Sequence, residues 1–235
     1  MLAQLAVMGL LAANAAGSLA TVTPSAPPVR AAQETAVLAT MHPAFAAPRK
    51  ISRRLRLVSA RRPITYEQTV LPVTGHAVDA HGTAWLRVRL PGRPNGALGW
   101  IQRAGTHRRV TAVHLVVDIS QRRVTVYRHG HEIRRFSGVV GRPTTPTPLG
   151  EFFVEEAIAL PASATGGPYA LALSARSNTY REFEGGPGQV AIHGRAHLGG
   201  SPGTAVSHGC VRLDAAAMGW LVIVVGPGVP VTIRA

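Results

Sequence analysis

The sequence predicts a mainly β chain, built as two β-rich segments with a single helix near the C-terminus, and three observations predict it. Short runs of alternating apolar and polar residues recur from about Leu55 onward, each bounded by glycine, proline, asparagine or aspartate. One later stretch, Ala215 with Met218, Trp220 and Leu221, is apolar over a longer run that does not alternate; Asp214 stands before it as an N-cap and Gly226-Pro227-Gly228 ends it. A hydrophobic share of 46% over 235 residues is enough to bury the core of one large domain or two small ones.

The elements follow in order. Met1 to Ala20 carries no charged side chain and closes on Ser18-Leu19-Ala20, a small-x-small cleavage pattern. This reads as an export signal, or by its length as an uncleaved membrane anchor. Residues 21–50 are dominated by Ala, Pro, Thr and Ser and read as a disordered linker. Within residues 51–106, Leu55 to Val58, Tyr66 to Val73, Trp85 to Leu90 and Gly99 to Ile101 alternate between turn-forming stretches. That is a small β-barrel pattern, with Trp85 and Trp100 filling its interior. In residues 110–235, Val113 to Ile119 and Arg123 to Tyr127 form a hairpin across Ser120-Gln121, and Ile133 to Val140 follows. Gly141 to Gly150 holds three prolines and is a loop, because proline cannot donate to a ladder. Phe152 to Glu155, Tyr169 to Leu173, Gln189 to His193 and the closing run Val229 to Ile233 complete the strands.

The net charge is +14, from 25 Lys+Arg against 11 Asp+Glu, and suits an anionic polymer, a membrane surface or an acidic cell envelope. The arginines are scattered apart from Arg49 to Arg56 and Arg61-Arg62, with no interleaved aromatics, which argues against a reader of nucleic acid. Cys210 is the only cysteine, so no intramolecular disulfide framework exists. A thiol is a nucleophile as its thiolate and, with an ordinary pKa of about 8.5, needs a base or a positive neighbour at neutral pH. His193, His208 and Arg212 can supply both, since the glycine-rich stretch Gly194 to Gly203 lets the strand ending at His193 meet Cys210. His193 and His197 are four apart, a zinc-like spacing only on a helix; Gly194, Gly199 and Gly200 make this a loop, so no metal is expected.

Ile192-His193-Gly194, a spacer, and Ser207-His208-Gly209-Cys210-Val211-Arg212-Leu213 resemble the signature of the L,D-transpeptidases, the YkuD-type catalytic domain. Thr145-Pro-Thr-Pro-Leu-Gly150-Glu-Phe152 resembles the loop and strand that precede that active site. The resemblance spans about Val110 to Arg234, and residues 51–106 resemble the bacterial SH3-like module that often accompanies it. It implies a mixed β-sandwich catalytic domain over 110–235, with Cys210 as nucleophile and His193 as base. Gly194 would hold the His193 tautomer through its carbonyl, and the backbone N–H groups of His208, Gly209 and Cys210 would form the oxyanion hole. Ser207 and Arg212 would bind substrate, Arg212 pairing with a stem carboxylate or, alternatively, with Asp214. Either Tyr180 or Tyr169 would add a hydroxyl to the oxyanion hole, or both simply pack.

The implied activity is formation of 3-3 cross-links between tetrapeptide stems of peptidoglycan through a cysteine acyl-enzyme, without cofactor, in the cell envelope. Carbapenem-type β-lactams would be covalent inhibitors, nucleic acid would not be a partner, and membrane contact would run only through the N-terminal segment. Two other readings use the same features. One is an L,D-carboxypeptidase or cysteine peptidase acting on the same stems, and the other is a non-catalytic protein that binds the cell wall.

Overall fold

The computed structural model describes residues 29–161, 163–183 and 185–235, so the export segment Met1 to Ala20 lies outside the described residues. Seven antiparallel strands form the first sheet: β1 (Gln33–Leu38), β2 (His42–Phe45), β3 (Arg54–Val58), β4 (Val70–Val78), β5 (Ala84–Arg89), β6 (Leu98–Gln102) and β7 (Thr106–Thr111). Their spatial order is β3-β2-β6-β5-β4-β1-β7, and the sheet curls around Leu38, Val58, Leu71, Val88 and Ile101. Trp85 is 1% exposed, meets Phe45 edge to face and donates from its indole N–H to Asp79 at 3.0 Å. Trp100 does not join it inside. It alternates with the buried Ile101 and stays half-buried on the opposite face of β6.

The structure corrects the expected linker. β1 and β2 fall within residues 21–50, and β1 sits between β4 and β7, with Ala36, Val37 and Leu38 all buried. Its apolar residues are consecutive and its flanks are Ala- and Pro-rich, so composition hides a strand that its neighbours on both sides impose. β7 likewise crosses the expected boundary near residue 106. His107, Arg108, Arg109 and Val110 are exposed on both faces, which leaves no alternation to read. β4 starts at Val70, not Tyr66, because Tyr66 takes a left-handed φ of 57° that no strand accommodates.

The second sheet uses β8 (Val113–Asp118), β9 (Arg123–Arg128), β10 (His131–Ser137), then, after the short β11 (Val140–Gly141), β12 (Gly150–Ala159), β13 (Tyr169–Arg176) and β14 (Gln189–His193). It is completed, past β15 (Ala205–Ser207), by β16 (Val211–Arg212) and β17 (Pro230–Arg234). The order is β10-β9-β8-β17-β12-β13-β14-β16, mixed because β17 runs parallel to β8 and β16 parallel to β14, while β11 and β15 pair separately. The one helix among the described residues, α1 (Ala215–Val224), presses Met218 and Leu221 into the core beside Phe152, Leu171, Ile192, Val211 and Val231. Asp214 occupies the N-cap position of α1 but makes no side-chain cap; Arg195 takes its carboxylate at 2.6 and 2.9 Å instead.

β12 joins the two sheets. Successive side chains of a strand point to opposite faces, so Phe152 enters the core of its own sheet while Phe153, 0% exposed, enters the core of the first. Polar contacts reinforce this seam. Glu156 accepts from the amides of Ile64 and Thr65 at 3.2 and 2.9 Å, and Asn95 exchanges two 2.8 Å bonds with the Arg176 backbone. Truncation of Phe153 to alanine is expected to cost about 3–5 kcal/mol and to split one unfolding transition into two, because the apolar plug shared by both cores is gone. Calorimetry checks this; a single transition at an unchanged midpoint would show that the seam carries little.

Candidate active site

The site is set by a short parallel ladder. Ile192 pairs with Val211 and His193 with Arg212, and the ladder extends one bond further, from the Leu213 amide to the His193 carbonyl at 2.9 Å. Ile192, Val211 and Leu213 all turn into the core, so His193 and Arg212 turn the other way. Cys210, two residues before Arg212, has the same parity. Arg212 is coupled electrostatically to both His193 and Cys210, which sets the three groups in one neighbourhood. Cys210 is half-buried. The ladder is held from the far side by Val139 and by the proline-bearing loop after it: Val139 and Arg212 exchange two 2.9 Å backbone bonds, the Arg142 amide reaches the Ser207 carbonyl at 3.0 Å, and the Thr145 hydroxyl reaches it at 3.1 Å.

His193 Nδ1 lies 2.7 Å from the Gly194 carbonyl. A carbonyl only accepts, so the neutral ring carries its proton on Nδ1 and leaves Nε2 as a base. Burial holds the imidazole below the ordinary histidine range; its backbone bonds to Gly194 and Gly166 pull back, and the Arg212 guanidinium pushes it further down. Glycine is required on both sides of this packing. A Cβ on Gly194 would stand 1.8 Å from the Gly167 carbonyl oxygen, and one on Gly166 would stand 2.8 Å from His193 Nδ1. The Gly194 carbonyl thus lies where it accepts from His193 Nδ1, and Gly166-Gly167, which the sequence pattern did not single out, pack behind it.

Arg212 is 8% exposed and donates from Nη1 to the Gly199 carbonyl at 2.8 Å, while its Nε is buried without a hydrogen-bond partner. Burial lowers its pKa and the electrostatic attraction of Cys210 offsets part of that. The alternative pairing of Arg212 with Asp214 is not made, since Arg195 holds Asp214. Arg212 thus places a fixed positive charge beside both Cys210 and His193, favouring a thiolate and disfavouring an imidazolium.

Two expectations at the turn are corrected. Ser207 is fully buried, donates to the Cys210 carbonyl at 2.5 Å and accepts from the Gly209 amide at 3.2 Å, so its hydroxyl shapes the turn and is not presented at the surface. The same bond commits the Gly209 N–H, expected in the oxyanion hole, to Ser207. Of the two tyrosines, Tyr169 packs against the core, whereas Tyr180 lies with Phe183 against the exposed ring of His208, each 6.2 Å from it between centroids. His197 sits in a turn with φ 57°, off any helix.

This aromatic lip is braced from the other sheet. Arg93 donates to the carbonyls of Ser177, Tyr180 and Pro187 at 2.8, 2.8 and 2.9 Å, gripping the segment that carries Tyr180 and Phe183. Neither Arg93 nor its partners form a local pattern, because the contact joins residues 84 to 94 positions apart in sequence.

The family model of the L,D-transpeptidase catalytic domain matches residues 112–233, and the chain belongs to this family. Among solved structures, the avibactam carbamoyl enzyme of Ldtfm is 24% identical, with 52% of this chain and 49% of that one covered and a TM-score of 0.41. The chain therefore spans about half the length of that protein. The catalytic domain of the Enterococcus faecium L,D-transpeptidase is 23% identical over 52% of this chain and 96% of that one, with a TM-score of 0.41. An L,D-transpeptidase from Mycobacterium smegmatis is 20% identical over 70% and 99%, with a TM-score of 0.40. No curated protein matches the chain.

Two consequences are measurable. His193 and His114 are both held below the ordinary histidine value by burial. On acidification the unfolded chain takes up these protons first, so stability conferred above about pH 6.5 is lost as pH falls toward the folded values. Turnover needing neutral His193 is expected to persist at pH 6.5 and to fall on its acid side; a kcat/KM profile whose acid limb lies above 6.5 would contradict the assignment. Bonds from a charged donor contribute about 1.5–3 kcal/mol, so Arg93→Ala is expected to lower kcat/KM by about tenfold or more, with partial recovery in Arg93→Lys. Steady-state kinetics of the three proteins checks this, unchanged values meaning that the lip holds itself.

Proposed function

We propose that this protein is a peptidoglycan L,D-transpeptidase that forms 3-3 cross-links, with Cys210 as nucleophile and His193 as general base. The observation that carries the reading is the shared face of His193, Arg212 and Cys210 on the β14–β16 ladder, with His193 Nδ1 tied to the Gly194 carbonyl. His193 Nε2 takes the thiol proton as sulfur attacks the carbonyl between the third residue and the terminal D-alanine of a tetrapeptide stem. The same ring returns the proton to the departing amine, so D-alanine leaves and a thioester remains on Cys210. A side-chain amine of a neighbouring stem then attacks the thioester, loses a proton to His193, and carries away the acyl group as the new cross-link. With the Gly209 amide committed, the developing oxyanion is assigned to the His208 backbone N–H and the Tyr180 hydroxyl at the lip. Arg212 acts as the buried charge that favours the thiolate. A nucleophile of this kind also opens the strained amide of a carbapenem-type β-lactam. The uncharged stretch Met1 to Ala20 and the basic balance support a proposed location in the cell envelope.

The test is mass spectrometry of purified disaccharide-tetrapeptides after incubation with the protein or with Cys210→Ala. The expected product is a dimer lacking one alanine, made only by the unsubstituted protein, and a carbapenem adduct on the peptide holding Cys210. Tripeptide monomer alone would make the enzyme an L,D-carboxypeptidase, and an unaltered substrate with no adduct would leave the wall-binding reading.

A further inference from the structure

Where the two sheets meet, away from Cys210, lies a cavity of about 370 Å³ lined by Arg56, Leu57, Arg62, Arg93, Glu155 and Arg176. Four guanidinium groups face two carboxylates there. Glu155 is held by Arg62 and by Arg176, the latter at 3.0 Å. Glu156 lies 3.8 Å from Arg62 Nε and accepts from the amide and hydroxyl of Thr65 at 2.9 and 3.1 Å. Both carboxylates are buried and already paired, so two of the four positive charges have no carboxylate partner.

The donors show the same imbalance. The Nε atoms of Arg56 and Arg62 are buried with no hydrogen-bond partner. Burial pushes Arg176 down to about 10 and lowers Arg56 and Arg62, each of which Arg176 also repels. The terminal nitrogens of Arg56 are taken by the Pro91 and Arg93 carbonyls, so the cluster lacks counter-charge and an acceptor for its two Nε atoms, and an anion supplies both the charge and the lone pairs. Two excess charges match the −1.5 to −2 of a phosphate monoester at neutral pH better than the single charge of a carboxylate. The arginines come from both sheets, which suits a tetrahedral group that accepts from several sides, and the volume leaves room for a substituent on it.

We propose that this seam cavity is a binding site for a phosphoryl group, free phosphate or the monoester end of a larger molecule, and that its occupation fastens the two sheets together. Isothermal titration of the full chain with inorganic phosphate, glycerol 3-phosphate and acetate at constant ionic strength tests it. Saturable uptake of one phosphate is expected, about tenfold or more weaker in Arg56→Gln. Leu57 lines the cavity and is 54% exposed, so Leu57→Glu keeps the fold while offering a carboxylate of its own. It is expected to abolish phosphate uptake and to raise the thermal midpoint of the phosphate-free protein. Tighter binding of glycerol 3-phosphate points to the monoester, and tighter binding of phosphate to the free ion; either supports the site. Absence of saturable uptake, equal uptake by Leu57→Glu, or acetate binding as tightly as phosphate would overturn it.

Discussion

The parallel pairing of β14 with β16 is the constraint from which the chemistry of this chain follows. A parallel pair cannot close through a tight turn, so the chain must leave His193, travel through a long glycine-rich excursion and return in the same direction before Cys210 can stand beside the histidine. The return strand is only two residues long and would not hold alone. It is secured by Val139 on its other side, while the Arg142 amide and the Thr145 hydroxyl of the neighbouring loop donate to the Ser207 carbonyl just before it, satisfying a backbone buried away from water.

Given that register, electrostatics does the rest. His193 sits where burial and a neighbouring guanidinium both oppose the imidazolium, so it rests neutral, and the Gly194 carbonyl decides which nitrogen is left to accept a proton. A backbone carbonyl replaces the carboxylate found behind many catalytic histidines: it orients the ring without adding a negative charge that would raise its pKa. Arg212 is uncommonly placed for a substrate ligand, since its guanidinium is buried and engaged with the Gly199 carbonyl. Its charge acts through space on the groups beside it.

The N-terminal sheet takes part in building this site. Phe153 seats the catalytic sheet in the other core, and Arg93 crosses the seam to hold the lip that carries Tyr180 and Phe183. Much of this was legible in the sequence. Strands such as Arg123–Arg128 announce themselves by alternation and turn punctuation, and Cys210, His193 and Gly194 by a local pattern whose chemistry is interpretable residue by residue. What was hidden depends on distant partners. β1 is a strand because β4 and β7 flank it, and Ser207 takes the Gly209 amide only because the turn closes that way. Arg93, an ordinary loop arginine in sequence, becomes a brace through carbonyls far along the chain. Local pattern specifies which groups can react; register and seam contacts specify which of them meet.

The account rests on a neutral His193 protonated at Nδ1 beside Cys210, and nitrogen-15 NMR of the histidine side chains in the full chain measures this directly, with His193→Gln assigning the resonance. At neutral pH the His193 signals are expected to report the Nδ1–H tautomer, titrating only on the acid side of pH 6.5. An Nε2–H tautomer, or an imidazolium persisting at neutral pH, would contradict it.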